Sequence, residues 1–324
     1  MSTDTTSSSQ LTENGKLRHL IRIAGLSRDF ISRLLDKAES YQVPVGKPPA
    51  RDTVLKGHTV ANLFFEPSTR TRASFELAAK RLSADVLNLD VNMSSRIKGE
   101  SLLDTIYTLQ AMQCDIFVVR DASAGIPDFI TTNVQPNVSV LNAGEADVSH
   151  PTQGLLDLLT IRQNKQALDG LVVTVVGDIA HSRVARSLSE GLGIMGNNEL
   201  RLVAPKGLDP DPDLYPGAII GNDIDKAIKG ADVIMALRIQ RERIKEKSSL
   251  MTNHEYLQKY GLTEARLDKA KPDAIVMHPG PMNRDVEIAG PVADGPRSVI
   301  TQQVNNGLTV RMAVLAAVME ARTT

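Results

Sequence analysis

The chain has 324 residues, enough for two domains of ordinary size, each with its own core. Its 37 lysines and arginines nearly cancel 38 aspartates and glutamates, and the basic residues are spread out, so nothing favours nucleic acid or a membrane surface as partner. The single cysteine, Cys114, excludes an internal disulfide, fits a reducing cytoplasm and reads as a buried structural thiol, and no run is long enough to span a bilayer.

Residues 1–16 read as a disordered tail, rich in Ser and Thr over its first ten positions and without the basic-then-apolar layout of a signal peptide. Helical spacing follows at 31–41. The apolar run 60–65 reads as a buried strand, closed by Pro67 and Ser68. From Thr69 to Leu82 the spacing is helical again, with Phe75, Ala78, Ala79 and Leu82 on one face. Ser68, Thr69, Arg70, Thr71 and Arg72 therefore fall at a strand-to-helix turn. Unpaired N–H groups and the helix dipole attract an anion there, and Arg adds a planar fork that matches phosphate oxygens. Alone, the same turn reads as well as an ordinary Ser N-cap with solvated arginines.

A strand at 86–89 leads into the polar loop 92–101, which carries Ser94, Ser95 and Lys98. A helix is expected at 102–112 and a strand at 116–119. Arg120 follows that strand and so stands at a carboxyl end, where open α/β sheets bind ligands; a salt bridge to Asp121 or another acid is the competing reading. After a strand at 138–141, His150 and Gln153 flank a proline at a helix start. His can polarise a carbonyl or carry a proton, and Gln can both accept from and donate to an amide-like group. Residues 151–169 serve as a bridge to a second set of strands at 171–176, 200–204, 233–237 and 274–277, with helices at 183–192 and 308–322. This alternation predicts an α/β fold of two domains, each a mostly parallel sheet flanked by helices.

The segment from Gly177 to Arg183 looks at first like a dinucleotide fingerprint. Ile179 and Ser182 stand where its second and third glycines belong and would obstruct a pyrophosphate. An Arg at a helix start suits a carboxylate better, which makes Arg183 a candidate clamp; His181 reads as solvated or structural. Arg238 and Gln240 follow the strand at 233–237 and share a face if the chain stays extended. Arg238 can take a carboxylate bidentately, and Gln240 can orient a neighbour. Residues from 241 onward read as a solvated charged loop. Pro279-Gly280-Pro281 imposes a tight, irregular turn that exposes backbone carbonyls, and His278 reads as structural.

Taken in order, Ser68-Thr69-Arg70-Thr71-Arg72, Lys98-Gly99-Glu100, His150-Pro151-Thr152-Gln153, Leu237-Arg238-Ile239-Gln240 and His278-Pro279-Gly280-Pro281 resemble the motif set of the carbamoyltransferases. They are most similar to the catalytic chains of the bacterial-type aspartate carbamoyltransferase family, from about Leu17 to the end. The resemblance implies a carbamoyl phosphate-binding domain over 17–154, completed by a C-terminal helix at 306–324, and an L-aspartate-binding domain over 155–305, with an active-site cleft between them. It assigns Ser68, Thr69, Arg70, Thr71, Arg120, His150 and Gln153 to carbamoyl phosphate, together with backbone carbonyls at Gly280 and Pro281. Arg70, Thr71, Arg120 and His150 would hold the transition-state charge. Ser94, Lys98, Arg183, Arg238 and Gln240 fall to L-aspartate. Lys98 and Ser94, with Ser95 as a rival to the latter, would reach into a neighbouring subunit's site.

The implied reaction moves the carbamoyl group from carbamoyl phosphate to the amine of L-aspartate, giving N-carbamoyl-L-aspartate and phosphate in de novo pyrimidine biosynthesis. It needs no cofactor and no metal, and the bound phosphate is a candidate base. The implied assembly is a cytoplasmic homotrimer with shared sites, open to a larger particle with regulatory or dihydroorotase-like chains. The nearest rival is ornithine carbamoyltransferase, which shares the donor half but needs an acid for the extra ammonium. It typically shows His-Cys-Leu-Pro where this chain has His278-Pro279-Gly280-Pro281. A catalytically silent assembly subunit is a further alternative.

Overall fold

Strands of Val, Ile, Leu and Phe, most of them buried on both faces, build two parallel sheets, and helices cover them. The computed structural model describes residues 10–44, 46–89, 101–240 and 251–322. The chain divides into two units, Met1–Leu155 with Asn306–Thr324, and Leu156–Asn305.

The first unit opens with α1 (Arg28–Ser40) and then alternates: β1 (Thr59–Phe64), α2 (Thr69–Arg81), β2 (Asp85–Leu89), α3 (Leu102–Ala111), β3 (Cys114–Asp121), α4 (Ile126–Asn133) and β4 (Ser139–Glu145). Its sheet runs β2-β1-β3-β4, all parallel. From β1 the chain steps to β2 on one side, then crosses to β3 and β4 on the other. Strand order therefore reverses between β1 and β3, the place where open α/β sheets form a ligand crevice. Phe75, Ala78, Ala79 and Leu82, the face expected from helical spacing, are all fully buried. A buried cluster that does not include these α2 residues joins Leu63, Phe117, Val119, Ile130 and Val140.

An edge strand would normally show its outer backbone to solvent, yet every residue of β4 is buried. The N-terminal segment explains this. Leu20 bridges Leu141 in parallel; its N–H donates to the Val140 carbonyl at 2.9 Å, and its own carbonyl accepts from the Asn142 N–H at 2.8 Å. His19 Nδ1 accepts from the Val140 N–H at 2.9 Å. Gln10 holds this segment in turn: its Oε1 accepts from the N–H groups of Ile21 and Arg22, and its Nε2 donates to the Ala24 carbonyl. Residues 10–16, expected to belong to a disordered tail, are thus built into the unit.

α5 (Pro151–Lys165) carries the chain out of the first unit. The second unit contains β5 (Val172–Val176), α6 (Arg183–Met195), β6 (Glu199–Val203), β7 (Ile219–Gly221), α7 (Ile224–Ile228), β8 (Val233–Ala236), α8 (Asn253–Tyr260), α9 (Glu264–Leu267), β9 (Ile275–Met277) and α10 (Gly290–Ala293). Its sheet runs β7-β6-β5-β8-β9, all parallel, and the order reverses between β5 and β8. Val176, Ile234, Val276, Ile288 and Val292 lie in its core.

α11 (Ile300–Glu320) begins in the second unit and returns the chain to the first. There Arg311 stacks over the Phe75 ring with its Cζ 5.1 Å from the centroid, and Gln42 Nε2 donates to Asn306 Oδ1 at 2.7 Å. Arg322 pairs with Asp115 at 2.7 Å.

Candidate active site

The carboxyl ends of β1, β3 and β4 lie side by side, because β3 pairs with both neighbours. Register sets Phe64 opposite Arg120 and Asp121 opposite Glu145. Backbone bonds then lace the three outgoing loops: the Phe65 N–H donates to the Arg120 carbonyl at 2.8 Å, and the Ala146 N–H donates to the Asp121 carbonyl at 2.9 Å. This brings together the Ser68–Arg70 turn, Arg120, and the loop that delivers His150 and Gln153.

Ser68 is the N-cap of α2, as expected, but its hydroxyl makes no capping bond and the first turn contains no acid. Ser27, Ser101 and Ser182, at three other helix starts, each accept a backbone N–H. The α2 terminus thus keeps its positive end available for an anion. Ser68 is half-buried, Thr69 and Arg70 are exposed, and Thr71 is buried. Arg120 is buried inside the end of β3 rather than after it. Its guanidinium donates to the Ala143 carbonyl at 3.2 Å and pairs at 3.0 Å with Glu66. The salt-bridge partner is therefore an acid of the strand-to-helix turn itself, which sequence reasoning passed over.

His150 and Gln153 are both buried, and the Gln153 N–H donates to the His150 carbonyl at 2.9 Å. Glu145 shapes the loop before them. Its Oε1 accepts from the Gly125 N–H at 2.5 Å, its Oε2 accepts from Asn142 Nδ2 at 3.2 Å, and its backbone pairs with Ser149. Burial pushes its carboxyl above the usual range, against the pull of the Gly125 N–H. Ala146 sits at φ +42°, a left-handed conformation held by this lacing.

In the second unit, Gly177 explains the broken fingerprint. At φ +139°, a Cβ there would lie 2.4 Å from the Leu237 carbonyl oxygen. The glycine allows the ends of β5 and β8 to approach each other, with the Leu237 N–H donating to the Val176 carbonyl at 2.7 Å. Asp178, fully buried, then organises the reversal. Its Oδ1 meets His181 Nδ1 at 2.8 Å and its Oδ2 accepts from the Gln240 N–H at 3.0 Å. Gln240 Nε2 donates to the His181 carbonyl at 2.8 Å, so this side chain ties the two loops. Arg183, buried at the first position of α6, and half-buried Arg238 flank that tie. Asp178 was not singled out from the sequence; its one signal was an acid directly after an apolar strand.

β9 pairs with β8, and the Pro279-Gly280-Pro281 turn leaves its end. Gly280 has φ +68° and is half-buried, while Pro281 is exposed. Ser94, Lys98 and the charged loop from 241 to 250 lie outside the described residues. Among the described residues, no group of three His, Cys, Asp or Glu could hold a metal ion, and no helix is long and apolar enough to cross a membrane.

Residues 18–163 match the family described as aspartate/ornithine carbamoyltransferase, carbamoyl-P binding domain, and residues 169–318 match its Asp/Orn binding domain. Aspartate transcarbamoylase from Trypanosoma cruzi in complex with carbamoyl phosphate superimposes with a TM-score of 0.84 at 31% identity, over 93% of this chain and 95% of that one. The same enzyme with carbamoyl phosphate and aspartate gives 0.82 at 31% identity, over 93% and 96%. Ornithine carbamoyltransferase from Thermus thermophilus gives 0.81 at 27% identity, over 93% and 99%. Both halves of the fold and the ordered arginine motifs thus have one explanation: the chain belongs to the aspartate/ornithine carbamoyltransferase family.

Proposed function

We propose that the chain transfers the carbamoyl group of carbamoyl phosphate to the amine of L-aspartate. One observation carries the choice of acceptor. Arg183 and Arg238 flank the reversal of the second sheet, while both oxygens of Asp178, the buried acid there, are engaged by His181 and the Gln240 N–H. A dicarboxylate meets two guanidinium groups suited to bidentate binding. The side-chain ammonium of ornithine needs a carboxylate, and Asp178, the buried acid of that reversal among the described residues, is already committed. The Trypanosoma cruzi relative, crystallised with carbamoyl phosphate and aspartate, supports the same choice.

On the donor side, Ser68, Thr69, Arg70 and Thr71 take the phosphate at the α2 terminus, and Arg70 neutralises it as a leaving group. Arg120, Thr71 and His150 aim donors at the carbamoyl oxygen. Gln153 and the carbonyls of Gly280 and Pro281 hold the NH2. The aspartate amine attacks the carbamoyl carbon, the resulting oxyanion collapses, and phosphate departs with the amine proton within its reach. Catalysis then rests on positioning and electrostatics. The reaction commits aspartate to pyrimidine synthesis, in a homotrimer whose Lys98 and Ser94 serve a neighbouring subunit.

The family match also covers ornithine enzymes, and the Thermus thermophilus structure makes ornithine the second reading. Carbamoyl transfer to L-aspartate and to L-ornithine, measured side by side, decides. A kcat/KM for aspartate well above that for ornithine is expected; the reverse order moves the chain to the ornithine branch.

A further inference from the structure

Behind the turn at the end of β9 runs a chain of four buried polar side chains. Asp157 on α5, Gln303 on α11, His278 after β9 and Glu287 before α10 are all nearly inaccessible to solvent. Their hydrogen bonds fix one another's orientation. A backbone N–H can only donate, so the His278 N–H at 3.0 Å identifies the Gln303 atom it meets as Oε1. Gln303 Nε2 must then donate to Asp157 Oδ1, at 2.6 Å. By the same logic the Gly280 N–H, 2.8 Å from His278 Nδ1, makes that nitrogen an acceptor. The ring proton therefore sits on Nε2 and is donated to Glu287 Oε1 at 3.1 Å. Glu287 Oε1 also accepts from the Asn283 N–H at 2.5 Å, just beyond the turn.

The relay thus grips the turn from both ends, at Gly280 and at Asn283. Isolated prolines and glycines do not need such support. Four buried polar groups carry a large desolvation cost unless every bond is made, and replacing them with apolar residues of similar size would be easier to fold. Their arrangement makes sense if the position of the turn matters beyond stability.

We propose that Asp157, Gln303, His278 and Glu287 are positioning residues that set the orientation of the Gly280 and Pro281 carbonyls, and through them the preference for carbamoyl phosphate over an acyl phosphate that lacks the amide. The proposal rests on the reading of those carbonyls as acceptors for the carbamoyl NH2. Acetyl phosphate is the natural probe. It has the same shape and charge, with a methyl in place of NH2, so a misplaced carbonyl weakens carbamoyl phosphate and leaves acetyl phosphate unaffected.

The test uses the full chain and compares kcat/KM for carbamoyl phosphate with the inhibition constant of acetyl phosphate. Gln303→Met removes the acceptor for the His278 N–H. It is expected to lower kcat/KM for carbamoyl phosphate about tenfold with the acetyl phosphate constant unchanged. His278→Gln cannot place an acceptor at Nδ1 and is the second variant, should Gln303→Met not fold. His278→Asn, whose Oδ1 sits close to the position of Nδ1, is expected to recover most of the preference. A wild-type preference that these variants keep, or a parallel weakening of both ligands, overturns the relay alone. A wild-type chain that does not distinguish the two ligands overturns the donor-site reading as well.

Discussion

Arg70 and Arg238 offer the same guanidinium in two settings. Arg70 is exposed in the first turn of α2, apart from that helix's buried face, so its removal should leave the fold intact. Arg70→Ala is expected to lower kcat by about 100-fold or more, the loss of about 3 kcal/mol that follows deletion of a preorganised donor, with an unchanged unfolding midpoint. Near-normal turnover would remove it from the donor site. Arg238 stands on the other unit, beside the Asp178–Gln240 tie. Arg238→Ala should raise KM for L-aspartate by about tenfold or more while carbamoyl phosphate still binds, as equilibrium dialysis would show. A large loss of carbamoyl phosphate binding would place Arg238 on the wrong substrate.

At the scale of elements, the sequence disclosed most of what packing dictates. Long apolar runs such as 60–65 and 171–176 became strands within a residue of the expected ends, since burial on both faces leaves little else for them to be. β7 was missed because it is three residues long and largely exposed at the sheet edge. α4 was not among the expected helices; it is short and carries Pro127 in its first turn, where proline is tolerated, and α8 was missed because only Tyr256 on it is buried. The motifs proposed to hold the donor stood out because their residues lie close in sequence. Glu66, Asp178 and Gln303 were not, since their roles arise from partners that only the fold supplies.

α8 shows how such partners act. Arg266, on α9, donates to the carbonyls of Leu257, Gln258, Lys259 and Gly261 at the end of α8, at 2.6–3.1 Å. The Gln258 and Lys259 carbonyls belong to the last turn, which a helix end leaves without intrahelical partners, whereas the Leu257 carbonyl also accepts the Gly261 N–H at 3.1 Å. Arg266→Met keeps the stem and loses the fork; it should cost about 2 kcal/mol, read as a lower denaturant midpoint at constant slope. A change within measurement error would show that water replaces the guanidinium.

His19 makes a similar argument with pH as the variable. Burial, reinforced by Arg18, pushes its imidazole down to about 3 from the usual 6.5, and the Val140 N–H needs its lone pair. Between those values the unfolded chain binds a proton that the folded chain refuses. The contribution is therefore complete above pH 6.5 and is lost as pH falls towards 3, at up to about 1.4 kcal/mol per unit. His19→Asn should flatten the fall in stability between pH 6.5 and 4 relative to wild type. Parallel curves would mean that His19 does not titrate on unfolding in this range.

For the whole molecule, the proposed assembly makes its own prediction. Lys98→Ala and Arg70→Ala chains should each be almost inactive. Mixed and reassociated, they should regain activity, because some sites would join an intact Arg70 to a neighbour's intact Lys98. Verified mixed oligomers that stay inactive would return Lys98 to its own chain's site.

The path of the chain has one more consequence, in the order of its synthesis. The two stretches of the first unit bracket the second: its closing segment, Asn306–Thr324, comes after all of Leu156–Asn305. At a translation rate of roughly 5–20 residues per second, the intervening unit occupies the ribosome for roughly 8–30 s while its predecessor waits with the Phe75 side of α2 uncovered by Arg311. The second unit, contiguous in sequence, is the one able to complete its core during translation. A premature stop near codon 306 would therefore do its damage at the opposite end of the gene's product, in the half that was made first.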